Sequence, residues 1–514
     1  MFMFNRCNNW MYAFYVDYGF LGLQVLAAIS SYFLLKLLWV QRRYGLPPGP
    51  NGLPILGNLH CLGKNLHQDL CKLSKKYGPI MYLRIGYVPT VVVSSPAAAE
   101  KFLKTHDHVF ANRPYHQGSW YLCYHQRNLT FSKDNLYWRN MRQICSSNLF
   151  SNRRVASFES MRREEVRLMI ESLKRAASNG VSVDLSSEIR SLSANMSCLM
   201  IFGKKYLDKD FEDRRFGDVI REALHISGHP NFGDYFPLLR IFDIQRLTRR
   251  FKEIAKNYDD LIEKIIVDHL DHSQEHQETK EDFVDILMDS MESEEFEFEF
   301  DRRHLKAVLL DMLTASMDST TATIEWTISE LLRHPGIMWK LQKEIEQRVG
   351  MDRFVEESDL EGLTYLDMVM KESMRLHPAS ALTLPHVSTE DCIVDGHHIE
   401  KNTQLLANIW AIGRDPSVWP DPESFLPERF TGTNVDLLGN DFKLIPFGSG
   451  RRSCPGLELA VTVVRFIVAQ LVHCFDWELS DNIEPSDLDM SESFGTVTSR
   501  AKPLEVIPTY RLHN

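Results

Sequence analysis

Pro446-Phe447-Gly448-Ser449-Gly450-Arg451-Arg452-Ser453-Cys454-Pro455-Gly456 sets one cysteine in a glycine-rich loop, directly before a helical stretch from about Gly456 to Cys474. A thiolate so placed gains from loop amides, from the partial positive charge of a helix N-terminus and from Arg452. Gly450 and Gly456 permit a close backbone approach that side chains would block. These are the requirements of a cysteine that ligates a large, flat cofactor. A cysteine taken alone reads first as an inert buried thiol. With Phe447, Gly450, Arg452 and Gly456 arranged around it, that reading fails.

Outward from this loop the chain is mostly helical in pattern. Arg302 to Arg333 keeps an unbroken helical pattern until His334-Pro335-Gly336 stops it. At 1.5 Å per residue this is about 48 Å of helix, enough to cross most of a globular body. A second helix, about Asp367 to Leu376, halts before Pro378, and helical periodicity fills most of Arg139 to Ile266, as in Glu164 to Leu173 and Phe251 to Ile266. Strand-forming residues gather in short runs: Ile80 to Ser94, a hairpin turning at Gly86 to Pro89, and pieces such as Cys392 to His398. His269 to Phe300, polar and strongly acidic, reads as a solvated connector. The expected body is mainly α with small β-sheets.

The 514 residues are 44% hydrophobic, 25% charged and 11% aromatic, ample for a large core and unlike a disordered or collagen-like chain. A net charge of -11 disfavours a nucleic-acid-binding protein. Nine cysteines, odd in number and never spaced Cys-x-x-Cys, argue against a disulfide scaffold or zinc ribbon and fit a reducing compartment. Length alone suggests about three to four domains.

Gly19 to Val40, GFLGLQVLAAISSYFLLKLLWV, is a 22-residue apolar stretch broken only by Gln24, two serines and Lys36. It spans about 33 Å as a helix, enough for a bilayer core. Lys36 lies near one end, where its stem can snorkel, and Tyr15, Tyr18, Trp39 and Tyr44 suit interfacial belts. The stretch is too long for a signal peptide and no small-residue cleavage site follows it. Arg42 and Arg43 place the body on the cytosolic side. Residues 1–45 carry +3 and the remainder -14, so the acidity belongs to the body. Leu46-Pro47-Pro48-Gly49-Pro50 opens a stiff, Pro-rich hinge over residues 46–58.

Three partial motifs point elsewhere. His272-Ser273-Gln274-Glu275-His276 fits a zinc-binding His-x-x-Glu-His pattern but lacks the apolar context that buries a metal. Gly57 to Gly63 followed by Lys64-Asn65 misses the phosphate-loop spacing by one residue and lacks the Mg²⁺-ligating hydroxyl. Gly448-Ser449-Gly450-Arg451-Arg452-Ser453 begins like a dinucleotide fingerprint, with Asp476 near a ribose-binding position. Ser453 in place of the third glycine and Pro446 in the feeding strand count against it, which leaves a flavin or nicotinamide dehydrogenase as a second reading.

The cysteine loop matches Phe-x-x-Gly-x-Arg-x-Cys-x-Gly at all five fixed positions, and here the chain closely resembles the cytochrome P-450 family of haem-thiolate monooxygenases. The resemblance covers essentially the whole chain, because further motifs follow in the family's order. It implies the family's helical fold, haem b as cofactor and Cys454 as the axial iron ligand, whose electron donation favours O–O cleavage. Phe447, Arg452 and Gly456 would line the haem with it. Glu372 and Arg375, with Arg429 of Pro427-Glu428-Arg429-Phe430, resemble the structural ion-pair network behind the haem. Glu-x-x-Arg matches at Glu159, Glu164 and Glu212 lack the downstream partners.

Trp138-Arg139-Asn140-Met141-Arg142 matches the family's Trp-x-x-x-Arg helix, which implies that Trp138 and Arg142 donate to one haem propionate, with Arg452 and His386 as further partners. Ala315-Ser316-Met317-Asp318-Ser319-Thr320 aligns with the oxygen-activation motif, making Asp318 and Ser319 the implied proton relay. Two positions depart from it. Ser319 stands for the usual Thr, keeping the hydroxyl but losing the methyl that restricts its rotamer. Ser316 stands for the usual Gly, which narrows the groove where dioxygen would lie and adds a hydrogen-bonding group.

The same resemblance places substrate contacts at Tyr121, Leu122, Ala315, Leu382, Phe494 and Val497, a mostly apolar set suited to a small lipophilic molecule. The Pro-Pro-Gly-Pro segment, Phe110-Ala111-Asn112-Arg113-Pro114 and Trp410 to Pro416 resemble plant microsomal enzymes of specialised metabolism, acting on terpenoids or phenolics at the endoplasmic reticulum. Electrons would come from an NADPH-dependent flavoprotein reductase docking on Lys133, Arg139, Arg142 and Arg451. Because the motifs converge on one haem, the expected organisation is an anchor (1–45), a hinge (46–58) and one domain (59–514). Two rival classes stay open: a haem-thiolate isomerase or dehydratase that needs no dioxygen, against which Asp318-Ser319 argues, and a non-catalytic haem-binding protein.

Overall fold

The computed structural model describes residues 45–513 except 207–209, 212–213, 229, 274–281, 293–299 and 481–482, together with isolated positions 24, 27, 30 and 31, which are helical. The rest of the expected anchor lies outside the described residues. The body is built on helices α1 (Leu66–Tyr77), α2 (Gln117–Leu122), α3 (Leu136–Asn148), α4 (Glu159–Asn179), α5 (Leu185–Phe202), α6 (Leu247–Ser273), α7 (Phe283–Glu292), α8 (Arg302–Arg333), α9 (Thr364–Leu376) and α10 (Leu457–Cys474).

Helix α8 organises the rest. Asp301 caps it reciprocally: its carboxylate accepts from the Arg303 and His304 amides, and the His304 side chain reaches back to the Asp301 amide. Buried residues run along it from Leu305 to Leu332 on every side, as befits a helix enclosed by others. It lies along α5 for much of its length and also packs on α9 and α10. One core joins α4, α5, α9 and α10 to its C-terminal half. A second joins α3, α6 and α7 to its N-terminal half.

Strands β1 (Ile80–Ile85) and β2 (Val88–Val93) form the expected hairpin, with Ile85 opposite Val88. β3 (His386–Val387) and β4 (Gln404–Ala407) complete a sheet of order β1-β2-β4-β3, in which β2 and β4 run parallel. Cys392–Val394 and His397–Ile399 pair as a small hairpin. Near the C-terminus β5 (Glu492–Ser493) pairs antiparallel with β6 (Ser499–Arg500).

Two expectations are corrected. The supposed connector from His269 to Phe300 contains α7, whose Phe283, Val284 and Leu287 are fully buried, because apolar residues at helical spacing outweigh the acidic ones between them. His272 of the zinc-like motif lies in the last turn of α6, and His276 lies outside the described residues. The Pro-rich segment does not stand free either: the Pro48 carbonyl accepts from the Tyr82 amide, and Asn58 bonds Arg84 in both directions, seating residues 48–58 on β1. Among the described residues, α10 is the one helix long and apolar enough to cross a membrane, but it is mostly buried inside the body.

Candidate active site

The cysteine loop runs into α10 through a short 3-10 turn, Gly450–Arg452. Gly450 has φ +71°, and a side chain there would place Cβ 2.2 Å from the Leu103 carbonyl oxygen, so no other residue fits. No strand feeds the loop, which removes the dinucleotide reading. The Cys454 amide donates to the Phe447 carbonyl at 2.8 Å, folding the loop back beneath the thiol. Protein crowds around Cys454 and burial pushes its thiol up, yet its surface remains exposed. The thiol is thus crowded by protein and still reachable from outside. The Gly456 amide and the Arg142 charge pull the thiol back down. Arg142 thus fills the part expected of Arg452.

Arg142 beside this thiol, and Arg452 and Arg113 farther along, donate to backbone carbonyls. Arg142 donates to Ser453 O at 2.8 Å, and Arg452 donates to Ala111 O at 2.7 Å and also to Ser132 O. Arg113 donates to Thr130 O at 3.0 Å, Leu384 O at 2.8 Å and Pro385 O at 3.0 Å. Burial and the Arg113 charge bring Arg452 down to about 9; burial alone accounts for most of the fall of Arg113 to about 10. Burial and the same two cations hold His386 well below its ordinary value, and its Nδ1 donates to Phe110 O at 2.8 Å. Crowded buried cations with carbonyl partners are costly unless an anion joins them. The donor set therefore fits the two propionates of a haem above a cysteine thiolate.

Trp138 differs from expectation. Its indole N–H donates to Leu129 O at 2.9 Å, so it has a protein partner already. The Arg452 guanidinium lies 3.9 Å above its ring and that of Arg142 5.6 Å away, which makes the indole a platform for both cations. The sequence does not point to Arg113, because a single arginine in a loop carries no spacing signal. Nor does it single out Asp311. Its carboxylate accepts from Asn128 Nδ2, Thr130 N and Thr130 Oγ1, all at 2.9 Å. Burial raises its pKa against those bonds. Acid and base thus grip Thr130 from opposite sides, fastening the 111–131 loop to α8 and to the 384–385 segment. A lone Asp amid Leu305 to Ser316 was the available signal.

On α8, Ala315 is exposed between buried Leu313 and Met317, so this turn faces interior space. Ser319 Oγ donates to Ala315 O at 2.7 Å. Asp318 acts electrostatically on Tyr258 of α6. Ser316 does not narrow the Ala315 groove: its Oγ lies 2.7 Å from Ser197 Oγ on α5. Of the expected substrate contacts, Leu122 is buried in the core with Phe251 and Met312, and Tyr121 lies beneath Lys252. Leu382 bridges to Asn408. Phe494 stacks on the buried His67 ring at 5.1 Å. The Phe494–Val497 turn is pinned at Thr498, whose amide donates to Ala379 O at 2.8 Å and whose carbonyl accepts from the Trp326 indole at 3.0 Å.

Glu372, Arg375 and Arg429 come together as the sequence implies. Arg375 grips Glu372 through Nε at 2.7 Å and Nη2 at 2.8 Å, and Arg429 Nε reaches the same carboxylate at 2.9 Å. The remaining Arg375 donors take the Gly413, Pro422 and Ser424 carbonyls. Of the expected reductase-docking cations, Arg142 turns inward, Arg139 pairs with Asp134 at 2.9 Å and Arg451 faces Asp107 at 3.5 Å, leaving Lys133 the exposed member with no ion pair among the described residues.

Comparison with known proteins identifies the family. The family model described as Cytochrome P450 matches residues 47–506. Cytochrome P450 CYP736A12 of Panax ginseng is 44% identical over 95% of this chain and 98% of its own length. A flavonoid 3'-monooxygenase of Arabidopsis thaliana is 38% identical over 96% of this chain and 98% of its own. A zebrafish cytochrome P450 solved with abiraterone superposes with a TM-score of 0.74 at 27% identity, covering 88% of this chain and 100% of that one. The enclosed thiolate loop, the cationic rim and these relatives together assign the chain to the cytochrome P450 family of haem-thiolate monooxygenases.

Proposed function

We propose that this monooxygenase oxidises a small lipophilic specialised metabolite, terpenoid or phenolic, with electrons from an NADPH-dependent flavoprotein reductase. The reachable Cys454 thiol with Arg142 beside it, together with the cluster of Arg113 and Arg452, carries the reading. Cys454 would hold the haem iron, with Phe447 and Gly456 shaping the loop around it; Arg142, Arg452 and the Arg113–His386 corner would take the propionates. The haem, when bound, supplies activation of dioxygen. Ser319 can exchange its bond to Ala315 O for one to water, and Asp318 beside it supplies protons from the α6 side. The Glu372–Arg375–Arg429 network holds the segment 413–426 behind the loop. Tyr121, Leu122, Ala315, Leu382, Phe494 and Val497 would meet substrate. Three relatives are named as flavonoid monooxygenases or hydroxylases, which supports the phenolic side.

The anchor reading gains support from an apolar patch. Leu238, Ile241, Phe242 and Ile244 are 64–82% exposed, and Ile55 is 60% exposed. Tyr87, whose amide donates to Tyr235 O at 2.9 Å, joins this patch to the sheet edge on which residues 53–58 are seated. One face can therefore rest on the endoplasmic-reticulum bilayer that residues 19–40 would span, with the body cytosolic. Reductase would dock on Lys133 and the exposed faces of Arg139 and Arg451. The decisive experiment is the ferrous–CO spectrum of purified protein: a red-shifted Soret band is expected, lost in Cys454→Ala, and its absence in the wild type refutes the site. Turnover of a lipophilic panel that proceeds without NADPH, reductase or O₂ would favour the isomerase class instead.

A further inference from the structure

Ser316 Oγ lies 2.7 Å from Ser197 Oγ, across the contact between α8 and α5, and 3.1 Å from Leu313 O. Ser197 Oγ lies 2.8 Å from Ser193 O, one turn back on α5. Each hydroxyl has one proton to give. Whichever hydroxyl donates across the contact, the other gives its proton to a carbonyl of its own helix, Ser193 O or Leu313 O, so both protons are used. The chain of donors closes with nothing left over. It does so in a dry place: Ser197 is 2% exposed, and Ala194 and Cys198 beside it are fully buried. On the neighbouring face of the same turn, Ala315 is exposed and Ser319 lies over its carbonyl. One serine hydroxyl on this turn faces interior space and the other is held away from it.

We propose that Ser197 is a positioning residue for oxygen chemistry: it captures the Ser316 hydroxyl, keeps the groove beside Ala315 as open as a glycine would, and leaves Ser319 alone to deliver protons. This rests on the monooxygenase reading above. A hydroxyl released beside Ala315 would crowd a small gas ligand and bring in water, diverting electrons from substrate to hydrogen peroxide. Without Ser197, Ser316 keeps only the weaker Leu313 carbonyl and samples other rotamers.

The test uses the full-length holoenzyme with Ser197→Ala, Ser316→Gly and the double variant, reading carbon monoxide association after flash photolysis and the share of NADPH electrons released as peroxide. Ser197→Ala is expected to slow association and raise peroxide release, each by about fivefold, the population change that losing one net hydrogen bond brings. Ser316→Gly alone is expected to match wild type, and the double variant to return to it. Faster association in Ser316→Gly would mean that the hydroxyl already stands in the groove and overturns the proposal. A Ser197→Ala variant indistinguishable from wild type, or a double variant that stays impaired, overturns it as well. Failure of the underlying reading shows separately, as a wild type without the red-shifted ferrous–CO band.

Discussion

Asp311→Asn removes one oxygen's charge and nothing of its shape, so its effect can be worked out bond by bond. The carboxylate accepts three bonds at 2.9 Å, two from Thr130 and one from Asn128 Nδ2. An asparagine can keep its oxygen toward Thr130, but its amide then meets the Asn128 amide, donor against donor. Asn128 cannot turn over to relieve this, because its Oδ1 already accepts from the Phe131 amide at 3.1 Å. One bond to a charged acceptor is lost, worth about 1.5–3 kcal/mol, and two buried donors are left facing each other. Against that stands relief of the burial that raises the Asp311 pKa. The net cost is about 2 kcal/mol, felt in the 111–131 loop. Amide exchange at Thr130 should quicken about 30-fold, while the melting temperature of so large a body falls by only about 2 °C. Exchange measured by mass spectrometry that leaves the loop as protected as in wild type would refute the idea that Asp311 fastens it.

Glu372→Gln, by leaving Arg375 and Arg429 buried with a neutral partner, should cost about 3–5 kcal/mol in denaturant unfolding; a smaller loss than 1 kcal/mol would show that the backbone carbonyls suffice. Ser319→Ala should keep the CO spectrum but divert electrons to peroxide, whereas Ser319→Thr should retain coupling, both measured as product formed per NADPH. For Glu492, burial raises the pKa, but the hydrogen bond and charge of His67 and the Gln68 amide outweigh it and bring the carboxyl to about 2. A depressed carboxylate lends stability above its unfolded pKa and loses it as pH falls through the folded one. Wild type should therefore weaken between about pH 4.5 and 2, and Glu492→Gln should flatten that limb in urea titrations at several pH values.

The long helix, the cysteine loop and the Glu372–Arg375–Arg429 cluster were legible in sequence because each depends on local spacing: a stop at His334-Pro335, glycines flanking a cysteine, an acid and a base one helical turn apart. α7 was hidden because charge composition masked a short apolar stripe that matters only once another helix covers it. Arg113 and Asp311 were invisible as a pair, since what joins them is Thr130, and only folding brings a loop arginine and a helix aspartate to one peptide. Trp138 shows the opposite limit: its motif was plain, yet the partner of its N–H, Leu129, could be found only in three dimensions.

The β5–β6 hairpin has a bearing on the order in which the protein is made. Glu492 bonds His67 and Gln68 of α1 at 2.7 and 2.8 Å and the Trp410 indole at 3.1 Å, Thr498 takes the Trp326 indole, and Arg500 reaches Ser329 at 3.0 Å. All of its partners leave the ribosome before it does, some by more than four hundred residues. Closing so long a loop is slow, and the apolar walls it will hold together stay parted meanwhile. A chain cut just after α10 would keep its cysteine, its cationic rim and its acid–alcohol turn, and still emerge as an unfastened body, more apt to aggregate than to bind its cofactor.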